Sequence, residues 1–200
     1  MKGVIRALLG SILVLAAFAL PCSAAEYKVD DAHTTIGFSV KHLGISWVAG
    51  SFGEFEGSFQ FDPKNIKAAS AKATIKTKSI TTSNAKRDDH LRSADFFNAE
   101  QHQEISFQSK EIKDVQGDKF TVVGDLTVNG VTHPVSLDAE FRGAATDPWG
   151  NDRAGFTASG KINRKDFGLT WNKLLETGGL VVGEDVFITI EVEGIKEKQS

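Results

Sequence analysis

The sequence predicts an all-β fold, a closed antiparallel barrel of eight strands with one short helical insertion. Three observations point there. Long segments alternate strictly between apolar and polar residues, the pattern of half-buried strands. They recur at regular spacing with turn residues between them, as in barrels and sandwiches. One stretch, about 80–102, breaks the pattern with the charged run Lys86-Arg-Asp-Asp-His-Leu-Arg92, followed by the pair Phe96-Phe97.

The first 25 residues stand apart. Lys2 and Arg6 precede an apolar run from Ala7 to Leu20 and then Pro21-Cys22-Ser23-Ala24-Ala25. A basic start, a short apolar core and small residues at its end make a cleavable secretory signal. The run falls short of the roughly 20 residues a spanning helix needs. Cleavage is expected after Ala24 or Ala25, leaving residues 26–200 as one exported domain. Leu20-Pro21 before Cys22 is a poor context for lipid attachment. Cys22 is the only cysteine, so the mature chain is expected to have no disulfide and no thiolate metal site. Removing Lys2 and Arg6 from the 23 basic residues leaves 21 against 26 acidic ones, a net charge of −5. That balance argues against nucleic acid as a partner.

The strands follow in order. Ile36, Phe38, Val40 and His42 share one face of a strand near 33–43. The next, near 47–61, carries Phe52 on an even position but Phe55, Phe59 and Phe61 on odd ones. The parity flips at Gly53-Glu54, where a bulge would re-aim the strand. Ala69, Ala71, Ala73 and Ile75 mark a strand near 67–79, and Ile105 with Phe107 mark one near 103–115. Asn129-Gly130 is the favoured pair for a type I′ hairpin turn. It joins strands near 118–128 and 131–144, pairing Val128 with Val131, Leu126 with His133, Gly124 with Val135 and Val122 with Leu137. The last two strands lie near 153–163 and 182–196. Eight long strands favour closure, which leaves no exposed edge.

Such a barrel is just wide enough to fill with side chains or to hold one small ligand. Ala69, Ala71 and Ala73 on one strand, Ala158 and Gly160 on another, and Gly124 between make small inner rows. Phe38, Phe52, Phe55, Phe59, Phe107, Phe120 and Phe141 make bulky ones. Two outcomes follow with equal weight: an elongated apolar void, or rings that cross the interior and fill it.

Asp88, Asp89, His90 and Ser93 offer acid, imidazole and hydroxyl in one stretch. Residues so close on one helical turn cannot converge on one substrate atom, and no Gly-x-Ser-x-Gly elbow is present. No catalytic residue is therefore assigned. Asp88 and Arg92, at i and i+4, are expected to form a solvated ion pair. The histidines 33, 42, 90, 102 and 133 lack short ligand spacing, so neither a metal nor another cofactor is expected. His133 falls on the inner face at a hairpin end. Trp149, in Asp147-Pro-Trp-Gly150, is expected to plug one barrel end. Trp171, among Phe167, Leu169, Leu174 and Leu175, suggests a lid or a satellite core, with Gly178-Gly179 as a hinge.

At these motifs the chain resembles the YceI family of exported, lipocalin-like proteins. The resemblance is carried by Phe38-Ser-Val-Lys-His42, Arg87 to Phe97 and Gly124-Asp-Leu-Thr-Val-Asn-Gly-Val-Thr132. It continues through Asp147-Pro-Trp-Gly150, Arg153-Ala-Gly-Phe156, Ile162-Asn-Arg-Lys-Asp-Phe-Gly168 and Glu176-Thr-Gly-Gly179. The chain departs at His133, where lysine is common, and at His102-Gln103, in place of a usual Tyr-Pro. The resemblance implies a lipocalin-like barrel around a long apolar pocket that binds polyisoprenoids or other long-chain amphiphiles.

The expected function is thus a periplasmic, non-enzymatic carrier of such a lipid. Burying a methylene is worth about 0.8 kcal/mol, so a tail of about 15 carbons offers on the order of 10 kcal/mol before entropic costs. Tail contacts are assigned to Phe38, Val40, Phe52, Phe55 and Phe59, and to Ala71, Ala73, Phe107, Phe120 and Ala158. Arg87, His90 and Arg92 are assigned to the head-group, and His42, Trp171 and Asn172 to the mouth. Transient membrane contact and a homodimer complete the expected partners. The rival readings are an enzyme acting on such a lipid at the rim, and a filled barrel serving as a stress or interaction module.

Overall fold

In the computed structural model, which describes residues 24–174 and 179–198, the alternating segments pair into one antiparallel sheet that closes on itself. Its strands are β1 (Ala25–Val29), β2 (Thr35–His42), β3 (Ser46–Phe52), β4 (Phe55–Phe61), β5 (Ser70–Lys76) and β6 (Ile80–Thr81). After the helix α1 (Ala85–Arg92) come β7 (Glu104–Gln116), β8 (Lys119–Val128), β9 (Val131–Thr146), β10 (Asp152–Asn163) and β11 (Val182–Lys196). These occupy eight positions around the ring. β1 and β2 lie end to end along β11, pairing Val29 with Gly194 and Ile36 with Ile190. β3 and β4 lie along them in turn, with Phe52 opposite Ile36 and Phe59 opposite Tyr27. β5 and β6 make the third composite strand.

All three composites break at the same level. The breaks are the 3₁₀ turn Asp31–His33, the Gly53-Glu54 step and the 3₁₀ turn Thr77–Ser79. The parity flip at Gly53-Glu54 is therefore real: Phe52 and Phe55 both face inward. The expected strand 33–43 starts at Thr35, and β1 before it was not foreseen. Only five residues long, β1 is held by packing rather than pattern: Tyr27 stacks on Phe59 with ring centroids 5.0 Å apart. β11 joins the composite of β1 and β2 through three pairs with β1, Tyr27–Lys196, Lys28–Ile195 and Val29–Gly194, and seven with β2.

The β8–β9 hairpin has the expected register at all four pairs. Asn129 and Gly130 both take positive φ, 52° and 75°, as a type I′ turn requires. His102 packs on that turn, its ring 2.8 Å from where a Gly130 Cβ would stand.

The two barrel ends differ. The lower end, where β1 and β11 meet, is packed by Tyr27, Phe59, Phe61, Phe141 and Phe156, with Phe61 contacting Phe141 at 4.7 Å and Phe156 at 4.8 Å. Rings do cross the interior there, as the filled alternative expected. Trp149 is not the plug. It stands 81% exposed beyond a turn pinned by Asp147, which accepts from the Trp149 and Asn151 amides. The upper end carries α1 and the 164–174 segment. The insertion is less helical than expected: β6 and turns flank eight helical residues, capped by Asn84, which accepts from the Arg87 amide. Gly178 of the expected hinge, and Leu175, lie outside the described residues.

Candidate functional site

Above the aromatic floor the interior is empty over about 310 Å³, with an almost wholly apolar lining. This falls within the range of small-ligand sites, roughly 300–1,000 Å³. A void needs only about 10–15 Å³ on the same scale to admit one water, so this one has room for a hydrocarbon chain.

All ten residues assigned to the tail border the cavity. The wall is built as two faces. Ala69, Ala71 and Ala73 of the β5 side, with Ala158 of β10, leave the width that Phe38, Phe52, Phe55 and Phe107 look into. Gly124 and Gly160 contribute no space. The Phe107 ring covers Gly124, reaching 2.6 Å from a built Cβ, and Leu137 covers Gly160 at 2.7 Å. Phe141 packs into the floor with Phe61 and Phe156.

The residues assigned to the head-group and mouth stand differently. Arg87 donates from Nε to Thr82 Oγ1 at 2.7 Å and from Nη2 to the Thr82 carbonyl at 2.8 Å. Arg92 donates to the Lys78 and Ile80 carbonyls, both at 2.8 Å, and to Asp89 at 3.0 Å. Both guanidiniums thus lace α1 to the 78–82 segment, and neither borders the cavity. Asn172 likewise spends its amide on the backbone of Val182, at 2.7 and 3.1 Å. His90 and Trp171 do meet, ring centroids 4.9 Å apart, and both contact Phe96 at 5.0 Å. Phe96, with Leu91 and Leu169, borders the cavity from above. His42 ends β2 opposite Val182, half-buried at the upper rim.

Asp88 does not pair with Arg92 in solvent as expected. It is buried and accepts from the Thr82 amide at 2.8 Å, the Thr82 hydroxyl, and Thr81 Oγ1 at 3.3 Å. Burial pushes its carboxyl up, but those hydrogen bonds and the Arg92 charge outweigh it, leaving the group below the usual carboxylate range. Ser93 Oγ donates to the His90 carbonyl. Asp88 and Ser93 are thus occupied in holding α1.

At the lower rim Arg153 bonds Asp30 at 2.6 Å, Asp147 at 2.8 Å and Glu193 at 2.5 Å. Asp30, His33 and Glu193 bring ligand-type atoms within 4.8 Å of one another. The cation serving both carboxylates is the Arg153 guanidinium itself.

The sequence reading missed Arg164. It is 4% exposed, borders the cavity at the upper end, and has only backbone partners. Nε donates to the Gly183 carbonyl at 2.9 Å, Nη1 to the Leu169 carbonyl, and Nη2 to that of Val182 at 3.5 Å. Nothing in Ile162-Asn-Arg-Lys-Asp-Phe-Gly168 marks Arg164 as more buried than Lys165 beside it.

A closed eight-stranded barrel with an apolar interior, roofed by one helical insertion, agrees with the comparisons. The model of the YceI-like domain matches residues 27–194. The chain belongs to the YceI family. Among relatives of this YceI-like chain, a UPF0312 protein of Pectobacterium atrosepticum is 48% identical over 177 residues, 88% of each chain. Protein YceI of Salmonella arizonae is 44% identical over 177 residues, 88% of this chain and 89% of its own. The crystal structure of the Campylobacter jejuni YceI protein superposes with a TM-score of 0.67 at 36% identity, covering 85% of this chain and 96% of that one. A polyisoprenoid binding domain from Saccharophagus degradans shares the fold at 13% identity, TM-score 0.65, covering 87% and 99%.

Proposed function

We infer that this YceI-family protein is a periplasmic carrier that holds a polyisoprenoid or similar long-chain amphiphile, non-covalently and without a cofactor or catalytic step. The continuous apolar cavity between the alanine and phenylalanine walls carries the reading. An interior lined almost only by hydrocarbon offers tail burial and little else, so chain length dominates affinity. The Saccharophagus domain, described as polyisoprenoid-binding, is consistent with that use of the fold. The occupied polar groups of Asp88 and Ser93 favour a carrier over a rim enzyme. The test is native mass spectrometry of freshly purified protein, with solvent extraction of whatever accompanies it. A long-chain lipid released in near-stoichiometric amount is expected; protein that never holds one, even after incubation with prenols or fatty acids, defeats the proposal.

Loading such a cargo calls for transient contact with a membrane, and the upper rim has the surface for it. Ile45 is 85% exposed, Leu174 81%, and Leu43 and Trp47 stand out beside them. The Leu43 amide bonds the Val181 carbonyl at 2.9 Å, which brings the two segments together. The sequence of segments 41–48 and 171–182 holds two lysines, Lys41 and Lys173, against one acidic residue, Glu176. Apolar residues with an aromatic and basic flank suit an anionic bilayer surface. No helix among the described residues is long and apolar enough to cross a membrane, so contact would be peripheral. Brominated lipid in anionic vesicles should quench Trp47 but spare Trp149 at the other end, read in single-tryptophan variants. Equal quenching, or a rim covered by a second copy in sedimentation analysis, would contradict the docking.

A further inference from the structure

Arg164 is the one cation that borders the cavity and is itself buried, and among the described residues it has no carboxylate partner. Glu184, the acid whose charge reaches it, is engaged on the outside by Lys165 at 2.5 Å. Burial pushes the Arg164 guanidinium down from the ordinary arginine value, and Glu184 only partly opposes this. A guanidinium stays charged regardless. The three carbonyls of Leu169, Val182 and Gly183 offset part of the desolvation, yet they leave a full positive charge inside a hydrocarbon-lined chamber.

Its placement gives the charge a use. Arg164 directly follows β10 at the upper end, one strand from the rim where Val182 meets His42, while the aromatic floor lies at the far end. An amphiphile with its tail on the Phe61–Phe156 floor would carry its polar head toward this side. Five N–H donors in a planar fork suit a doubly oxygenated anion, and only three are taken up by carbonyls. By contrast, the head-group cations expected from sequence, Arg87 and Arg92, are laced to backbone outside the cavity.

We propose that Arg164 is the head-group site of the cavity, selecting amphiphiles that end in an anionic oxyacid, phosphate or carboxylate, over neutral ones of equal tail. The proposal rests on the carrier reading and gives it a ligand class. It also gives orientation: anion up, tail down.

Four probes test it on the full mature protein: farnesyl monophosphate, farnesol, palmitate and hexadecanol, with dissociation constants from native mass spectrometry and calorimetry. Each anion should bind at least about tenfold more tightly than the alcohol of equal chain, a difference of about 1.4 kcal/mol. The preference should persist at ~1 M salt, where the Debye length of ~3 Å removes surface attraction but not a buried pair. Comparing the two pairs separates phosphate from carboxylate as the preferred head. In Arg164→Met the anion preference should vanish while alcohol binding survives, with circular dichroism checking the fold. Should that variant fail to fold, the wild-type comparison still decides. Equal binding of anion and alcohol by the wild type, or a preference retained in Arg164→Met, overturns the proposal and leaves Arg164 a backbone strap. Failure of all four probes to bind would instead defeat the carrier reading.

Discussion

Ala158→Phe should close the cavity to lipid while leaving the barrel folded. Ala158 sits on β10 between Ala139 and Ile190, with its methyl at the cavity wall. A phenyl group there projects into space that four or five carbons of tail would occupy. At about 0.8 kcal/mol each, that forfeits about 3–4 kcal/mol, a loss of a few hundredfold in affinity. The new ring finds Ile112, Phe120 and Phe156 around it, so Tm should hold or rise as the void fills. The outward neighbour Ser159, between Asp138 and Thr189, supplies the control: Ser159→Phe should leave binding unchanged. Lipid occupancy by native mass spectrometry and Tm by calorimetry read both. Wild-type occupancy in Ala158→Phe would mean the ligand lies elsewhere.

Arg153→Met should be the most damaging single change away from the cavity. It strips the shared cation from Asp30, Asp147 and Glu193, which then face one another across the joint of β1, β10 and β11. Removing one partner of such a cluster costs far more than the net worth of the pairs, and Tm should fall on the order of 10 °C. The pH dependence is the sharper reading. The Asp147 carboxyl is held well below the usual range by hydrogen bonds from Asn151, with Arg153 adding to them and burial opposing. Asp30 is lowered chiefly by Arg153 and then by His33. Carboxyls depressed by folding stabilise the protein fully above their ordinary range, and that stability is lost as pH falls through their folded values. The wild type should therefore resist mild acid and fail only well below pH ~4, the ordinary carboxylate value. Arg153→Met should lose its margin already at neutral pH and show a shallower acid limb. A variant whose pH profile merely tracks the wild type would rule out the network as its cause.

What could be read in advance follows from how far each signal reaches along the chain. The Asn129-Gly130 turn carries its own conformational requirement, so the β8–β9 register was legible from two residues and their alternating neighbours. The parity change at Gly53-Glu54 was equally local. The residues that line the cavity were legible because inward parity is a property of each strand by itself. The polar partners were not. Arg87 and Arg92 look like free cations on a helix, and only folding sets the carbonyls of residues 78, 80 and 82 within their reach. Arg164 sits in a run as charged as any surface turn, and its burial depends on Leu169, Val182 and Gly183 closing over it. Trp149 erred the other way: a large apolar residue suggests a core, but the turn that carries it points away from the barrel.

The three rungs between β1 and β11 join residues more than 160 positions apart, so the ring is sealed by the first and last strands to be made. With the seven β2–β11 pairs they close the wall only when residues 182–196 are in place, and such distant pairing is slow to form. The chamber comes into being only once the final strand is seated.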